Sequence, residues 1–279
     1  MTSIDLGKLI FSNAFSHGGV CADIRLVTLP NGDQCISKST YLTTFAESLY
    51  SNSDCLKREI EILGRCNHPN IIELLGFAED RVNKVIHLFI PFAPHSDLLR
   101  FMEDNNGLDM STIKSIFHDM VRAIEYLHNK MKICHRDIKP ENVLIFGEPG
   151  NYVAKVCDFG FSNYFPVRAA GLHPRTGTPL FAAPGLLEVG CLTNPYKNDI
   201  WALGVTLYHM IYDMPPYGAE DDTLATFVTN VSTLPLKFPD SPKICPSLKE
   251  LLVSTIQKDE LRRFYIDDVI KNEWLNSDY

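Results

Sequence analysis

His135-Arg136-Asp137-Ile138-Lys139-Pro140-Glu141-Asn142 packs carboxylate, cationic, imidazole and amide side chains into eight residues. Pro140 and the polar run before it rule out a continued helix, and the apolar triplet Val143-Leu144-Ile145 follows at once. The stretch therefore reads as a loop between an amphipathic helix and a short strand. Loops held by regular elements are where catalytic groups gather. Asp158-Phe159-Gly160 stands at strand-plus-loop distance downstream, beyond Tyr152 to Cys157, which reads as a short strand ending at Asp158.

Upstream, Ser111 to Met131 has the clearest helical pattern in the chain. Ile113, Ile116, Phe117, Met120, Val121, Ile124 and Leu127 fall on one face, and Ser111 is placed to cap the helix. This helix delivers the chain to His135. Residues 199 to 212 are apolar nearly all round and predict a buried helix, and helical patterns with Pro-rich breaks continue to Trp274. The first third reads differently. Apolar patches from 4 to 38 are separated by Asn13, Gly18-Gly19 and the hairpin signal Pro30-Asn31-Gly32-Asp33, which predicts a small antiparallel sheet. From Ser53 to Gly64, Leu56, Ile60 and Leu63 recur at helical spacing, and Lys84 to Ala93 is an apolar run ending at Pro91, a buried strand leading into a connector.

With 279 residues the chain can bury one large core or two lobes with a cleft between them. Its 45% hydrophobic and 22% charged residues are ordinary for a globular protein. The formal net charge of -8 argues against nonspecific nucleic-acid binding and allows basic peptide partners. The eight cysteines include no CxxC pair or zinc-like spacing and read as reduced, mostly buried thiols. Met1 to Ile10 lacks the apolar core of a signal peptide, and no run is long enough for a membrane span. The expected compartment is intracellular, the cytoplasm or the nucleus.

Asp137 and Asn142 at their offset, followed by Asp158-Phe159-Gly160, resemble the catalytic and metal-binding loops of eukaryotic-type serine/threonine protein kinases. In overall pattern the chain is most similar to the calmodulin-dependent or autophagy-initiating types. The resemblance implies a bilobal α+β fold, with one kinase domain over 4-274: a small β-rich N-lobe (about 4-90), a hinge (about 91-94) and a larger, mainly helical C-lobe (about 95-274). It also implies roles. Asp137 would be the base and Lys139 would steady the transferred phosphoryl group, while Asn142 and Asp158 would hold magnesium. Cys35-Ile36-Ser37-Lys38 matches the strand that carries the phosphate-binding lysine, which makes Lys38 that residue and Glu59 its ion-pair partner. Glu61 lies roughly 200° further round the helix and should face away. Ile90 matches the gatekeeper, and the carbonyl of Pro91 with the N-H of Ala93 would recognise adenine. Lys139 and Gly177-Thr178-Pro179 resemble serine/threonine rather than tyrosine kinases. Asp199 resembles the buried aspartate that accepts N-H groups of the catalytic loop, and His68 reads as a turn residue.

The chain departs from the family in several places. Its glycine-rich loop is eroded in both available registers: one puts Phe11, Asn13 and Ser16 at the glycine positions, the other Ser16, Gly18 and Cys21. Asp97 stands where an acidic residue meets the ribose, and it stands equally well to cap a helix. Pro174 occupies the usual activation-loop phosphosite, so phosphorylation there is not expected to be required, and Thr176 is the nearest acceptor. Gly185 replaces the Glu that pairs with a buried Arg, here Arg263. Removing one partner of such a pair costs about 3 to 5 kcal/mol. Glu188, one turn on, is the candidate substitute; without one, the substrate-binding end should be looser than in relatives. The expected function is transfer of the γ-phosphoryl group of ATP, with Mg2+, to protein Ser or Thr. The alternative is a pseudokinase that binds partners or nucleotide with little turnover. The sequence names no regulatory partner.

Overall fold

The computed structural model describes residues 4–18, 22–41, 52–165, 179–188, 192–218 and 222–277, with the side chains of 13–18, 22 and 52–54 set aside. Its contacts divide the chain into two compact units, Met1–Pro94 with Asp158–Gly160, and His95–Cys157 with Phe161–Tyr279.

The first unit is built on an antiparallel sheet of β1 (Ile10–Gly18), β2 (Ala22–Thr28), β3 (Gln34–Tyr41), β4 (Gly76–Asp80) and β5 (Val85–Pro91), in the order β1-β2-β3-β5-β4. The Asn-Gly signal forms the β2–β3 turn, where Gly32 takes φ +90°, a conformation that favours glycine. Val27, Cys35, Ala78 and Phe89 form the core of one sheet face, covered by Ile4, Leu6, Leu9 and Phe11 from the N-terminal segment and by Leu29 and Leu75. Alternation along β3 buries Cys35, Ser37 and Ser39 on that side and leaves Ile36 and Lys38 half-buried on the other. Helix α1 (Asn52–Leu63) buries Leu56, Ile60, Ile62 and Leu63.

The second unit is mainly helical. Helices α2 (Leu98–Asp104) and α3 (Met110–Glu125) are followed by a wider helical turn, Tyr126–Met131, which Lys132 ends with φ +57°. The cap of α3 is Asp109 and not Ser111: the Asp109 carboxylate accepts the N-H groups of Ser111 and Thr112 at 2.9 and 3.0 Å. Those bonds lower the Asp109 pKa to about 2, the Ser111 hydroxyl contributing most. A carboxylate placed one residue before the helix reaches both orphan donors, whereas Ser111 is already inside the first turn.

Short strands β6 (Ile133–Cys134) and β9 (Asn163–Tyr164) pair, as do β7 (Val143–Glu148) and β8 (Asn151–Val156). After α4 (Pro184–Leu187) comes α5 (Pro195–Tyr212), buried at every position except His209. At Gly204 a Cβ would collide with Thr255, so glycine is what lets α5 meet α7 (Pro246–Thr255). Helices α6 (Leu224–Thr233), α8 (Ile266–Ile270) and α9 (Glu273–Asn276) complete the unit. The thiols are less buried than expected: among the described residues Cys35, Cys134 and Cys157 are buried, Cys55 and Cys66 half-buried, and Cys245 exposed.

Candidate active site

In the second unit, β6 ends where the loop His135–Asn142 begins, and α5 pins that start. Asp199, 1% exposed, accepts the N-H of His135 on Oδ2 and that of Arg136 on Oδ1, both at 2.8 Å. His128 Nε2 lies 2.8 Å from the same Oδ2. These bonds hold Arg136 at φ +74°, a strained conformation that persists only when its surroundings over-determine it. His135 is fully buried. Its Nε2 faces the Cys157 carbonyl at 3.0 Å and its Nδ1 accepts the Asp137 N-H at 3.3 Å, so one neutral tautomer satisfies both contacts.

Asp137 follows, 8% exposed. Asn142 Nδ2 donates to the Asp137 carbonyl at 2.7 Å and to its Oδ2 at 2.9 Å, while Lys139 Nζ stands 3.5 Å from Oδ2. That commitment turns the Asn142 amide oxygen away from Asp137. Ser162 Oγ donates to the His135 carbonyl at 3.1 Å and Cys157 N-H to the Asn142 carbonyl at 2.9 Å, fixing the loop at both ends. The result is a carboxylate held in one orientation beside an ammonium, an arrangement suited to aligning a hydroxyl and taking its proton.

In the first unit, Lys38 Nζ lies 3.0 Å from Glu59 Oε2 and 2.8 Å from Asp158 Oδ1. Glu59 is buried, and its Oε1 accepts the Phe159 N-H at 3.3 Å, whereas Glu61 is exposed. Asp158 takes φ +61°, and its Oδ1 also accepts the Gly160 N-H at 3.2 Å. Two carboxylates around one ammonium leave a surplus negative charge. Proton affinity rises accordingly: burial pushes Glu59 up against the pull of Lys38, and Lys38 is raised because Glu59 and Asp158 outweigh its own burial. A hard divalent cation suits that surplus and those oxygen donors.

The other expected positions are found as follows. Ile90 faces Ile36 across β3–β5, Pro91 ends β5 opposite Cys35, and Ala93 is buried. Asp97 is the N-cap of α2, accepting the Arg100 N-H at 2.9 Å, so the capping alternative is the one observed. His68 accepts the Asn70 N-H at 3.1 Å, a turn role as expected. Gly18 at the end of β1 pairs with Ala22 at the start of β2. Of the positions in the two loop registers, Phe11, Asn13, Ser16 and Gly18 all fall within β1, while Cys21 and the side chains of Asn13 and Ser16 lie outside the described residues, as do Pro174, Thr176, Gly177 and Thr178. Sequence reading missed Ile24 and Leu26, which pair with Lys38 and Ile36 and form with Ile36 and Ile90 a half-buried aliphatic patch on the face that carries Lys38. Counting alternate residues from Lys38 back across the turn would have found it. It also missed His128, seven residues before His135, for which no local pattern gives a signal.

Residues 26–275 match the protein kinase domain family. The chain belongs to the protein kinase family. It is 31% identical over 225 residues to a Calcium/calmodulin-dependent protein kinase kinase of Caenorhabditis elegans, covering 80% of this chain and 40% of that protein. It is 34% identical over 187 residues to Serine/threonine-protein kinase TIO of Arabidopsis thaliana, covering 66% of this chain and 13% of that protein. Against Serine/threonine-protein kinase Aurora-2 of the same plant it is 30% identical over 275 residues, 98% of this chain and 90% of that one.

For this kinase chain the expected replacement of the missing acid at Gly185 is not what the structure holds. Arg263, 3% exposed, does not turn to Glu188. Its Nε donates to the Gln257 carbonyl at 2.8 Å, Nη1 to that of Lys197 at 3.0 Å and Nη2 to that of Lys258 at 3.4 Å, and its guanidinium carbon lies 5.1 Å from the centre of the Trp201 ring. Backbone carbonyls thus do the work assigned to a carboxylate. Glu188 itself is exposed.

Proposed function

We propose that this chain transfers the γ-phosphoryl group of Mg-ATP to Ser or Thr hydroxyls of protein substrates. The observation that carries the reading is the hold on Asp137: Asn142 and Lys139 meet its Oδ2 while Asp199 pins the loop that presents it. Asp137 orients the acceptor hydroxyl and takes its proton, and Lys139 offsets charge on the phosphoryl group in flight. Lys38, steadied by Glu59, grips the nonreacting phosphates. Asp158 and Asn142 are the oxygen ligands we assign to magnesium, which when bound neutralises phosphate charge. Ile90 and the main chain of Pro91 and Ala93, in the connector we place at 91–94, would recognise adenine. Asp97 joins them at the ribose only through the carboxylate that also caps α2.

A second reading, a pseudokinase with little turnover, is favoured by one feature: of the three positions where backbone approaches phosphate, one register keeps no glycine and the other only Gly18. One assay separates the two. Labelled γ-phosphate from Mg-ATP should pass to a generic basic protein, and Asp137→Asn should lower the rate about 10²- to 10⁴-fold. Transfer unchanged in that variant removes the assigned mechanism, and no transfer by the parent chain selects the pseudokinase.

A further inference from the structure

β3 carries Lys38 between two serines, and both serines turn to the opposite face of the sheet. There Ser39 Oγ lies 2.8 Å from His87 Nδ1, Ser37 Oγ lies 3.4 Å from the same nitrogen, and the two hydroxyls are 3.2 Å apart. Ser37 and Ser39 are 0% and 4% exposed. His87 sits directly opposite Ser39 in the β3–β5 ladder, with Phe11 and Phe89 at ring distances of 5.5 and 6.3 Å. A buried hydroxyl without a partner is costly. One imidazole therefore serves the two buried hydroxyls that flank Lys38 in sequence.

We propose that His87 is a positioning residue, which clamps β3 on both sides of Lys38 and so makes the grip on nucleotide depend on the protonation of one imidazole. The proposal rests on the kinase reading of Lys38 and deepens it. A neutral ring can offer Nδ1 as the acceptor for a serine hydroxyl; an imidazolium makes that nitrogen a donor, and the hydroxyls must turn to present oxygen instead. The ionisable groups on this face are few among the described residues. Arg25 on β2 is paired with Asp23 at 3.3 Å, Tyr41 at the end of β3 donates to Asp23 at 3.3 Å, and Asp80 ends β4. Burial holds His87 below its ordinary 6.5, with Asp80 pulling it up and Arg25 down. A folded pKa below the unfolded one means that the clamp is fully present above that ordinary value and is lost as pH falls through the folded one.

His87→Gln keeps an acceptor for the serines without a titrating ring. The measurement is the dissociation constant of Mg-ATP for the parent chain and for His87→Gln from about pH 7.5 down through the pH at which the His87 ring resonances of the parent chain titrate. Titration of the nucleotide and of Glu59 is common to both proteins and cancels in their ratio. The ratio should change by about fivefold across that range, with the parent chain weakening more. A ratio that stays constant overturns the proposal, and a purely structural His87 would give that result. The backbone amide resonance of Lys38 supplies a second readout that needs no nucleotide. It should follow the titration of His87 in the parent chain and lose that step in His87→Gln; an amide indifferent to the ring overturns the clamp. Absence of Mg-ATP binding by the parent chain at any pH would instead overturn the kinase reading, and the Lys38 amide would still decide the clamp.

Discussion

Lys38 and Arg263 are both cations largely withdrawn from solvent, yet Lys38 stands among carboxylates and Arg263 among carbonyls. Glu59 and Asp158 approach Lys38 to 3.0 and 2.8 Å and leave their group negative overall. Arg263 is met by three main-chain oxygens and an indole face, and burial pulls its pKa down to about 10. Lys197 repeats the second pattern, with Nζ 2.6 Å from the Glu260 carbonyl and 3.2 Å from that of Leu261, over the Tyr265 ring at 4.4 Å. The segment 257–261 thus offers carbonyls to two cations from one short run of backbone. Under the proposed function the difference follows from what each cation has to do. A lysine that grips phosphate must sit in a field that ligands can change, and full charges supply one. A cation that only ties a loop to α5 needs fixed dipoles, which do not depend on any neighbour's protonation.

Removing each cation should show the difference, with the larger effect at Lys38. Lys38→Met leaves Glu59 and Asp158 without their common cation, and phosphoryl transfer should fall about 10³-fold, equivalent to about 4 kcal/mol at the transition state. Steady-state kinetics together with the thermal midpoint would check this. A variant that keeps its kcat/KM would show that the triad has no part in transfer. Arg263→Met removes three hydrogen bonds from a charged donor and should cost about 3 kcal/mol of stability. Urea unfolding reads that loss, while kcat at a temperature where the variant is folded should stay within about threefold of the parent. A kcat collapse in the folded variant would make Arg263 a functional cation like Lys38 and break the contrast.

Which parts of this were legible in the sequence follows from the kind of signal each left. The run His135–Asn142 with Asp158-Phe159-Gly160 was legible in its own residue types and offsets, whereas Lys38, Glu59 and Asp199 were legible only through the resemblance to the kinase pattern that this run opened. The 3.6-residue period placed α1 and separated Glu59 from Glu61, and Asn31-Gly32 placed the β2–β3 turn. Ser111 and Asp109 are both residue types that cap helices; where the backbone leaves the extended region decides between them, and Asp109 has ψ 157°. The partners of Arg263 were not legible, since every residue carries a carbonyl and none advertises it. The aliphatic patch beside Lys38 and the His87 clamp depend on registers between strands, which are set by pairing at a distance rather than by neighbours in the chain.

The smallest effect tests whether Arg263 is complete as it stands. Gly185 is the second residue of α4, after Pro184, and Gly185→Ala should stabilise by about 0.5 to 1 kcal/mol through backbone entropy alone. Gly185→Glu adds a charge that the helix N-terminus favours, worth about 0.3 to 1 kcal/mol whether or not Arg263 is near. Those contributions are separated from an ion pair by a double-mutant cycle with Arg263→Met, using Gly185→Ala as the reference. With three of its donors already bound to carbonyls, Arg263 should couple to Glu at 185 by less than about 1 kcal/mol, within the range of a weak ion pair. A coupling near 3 kcal/mol would mean that the carbonyls leave the cation short of a counter-charge. The two cations would then differ only in that one has its acids and the other lacks them.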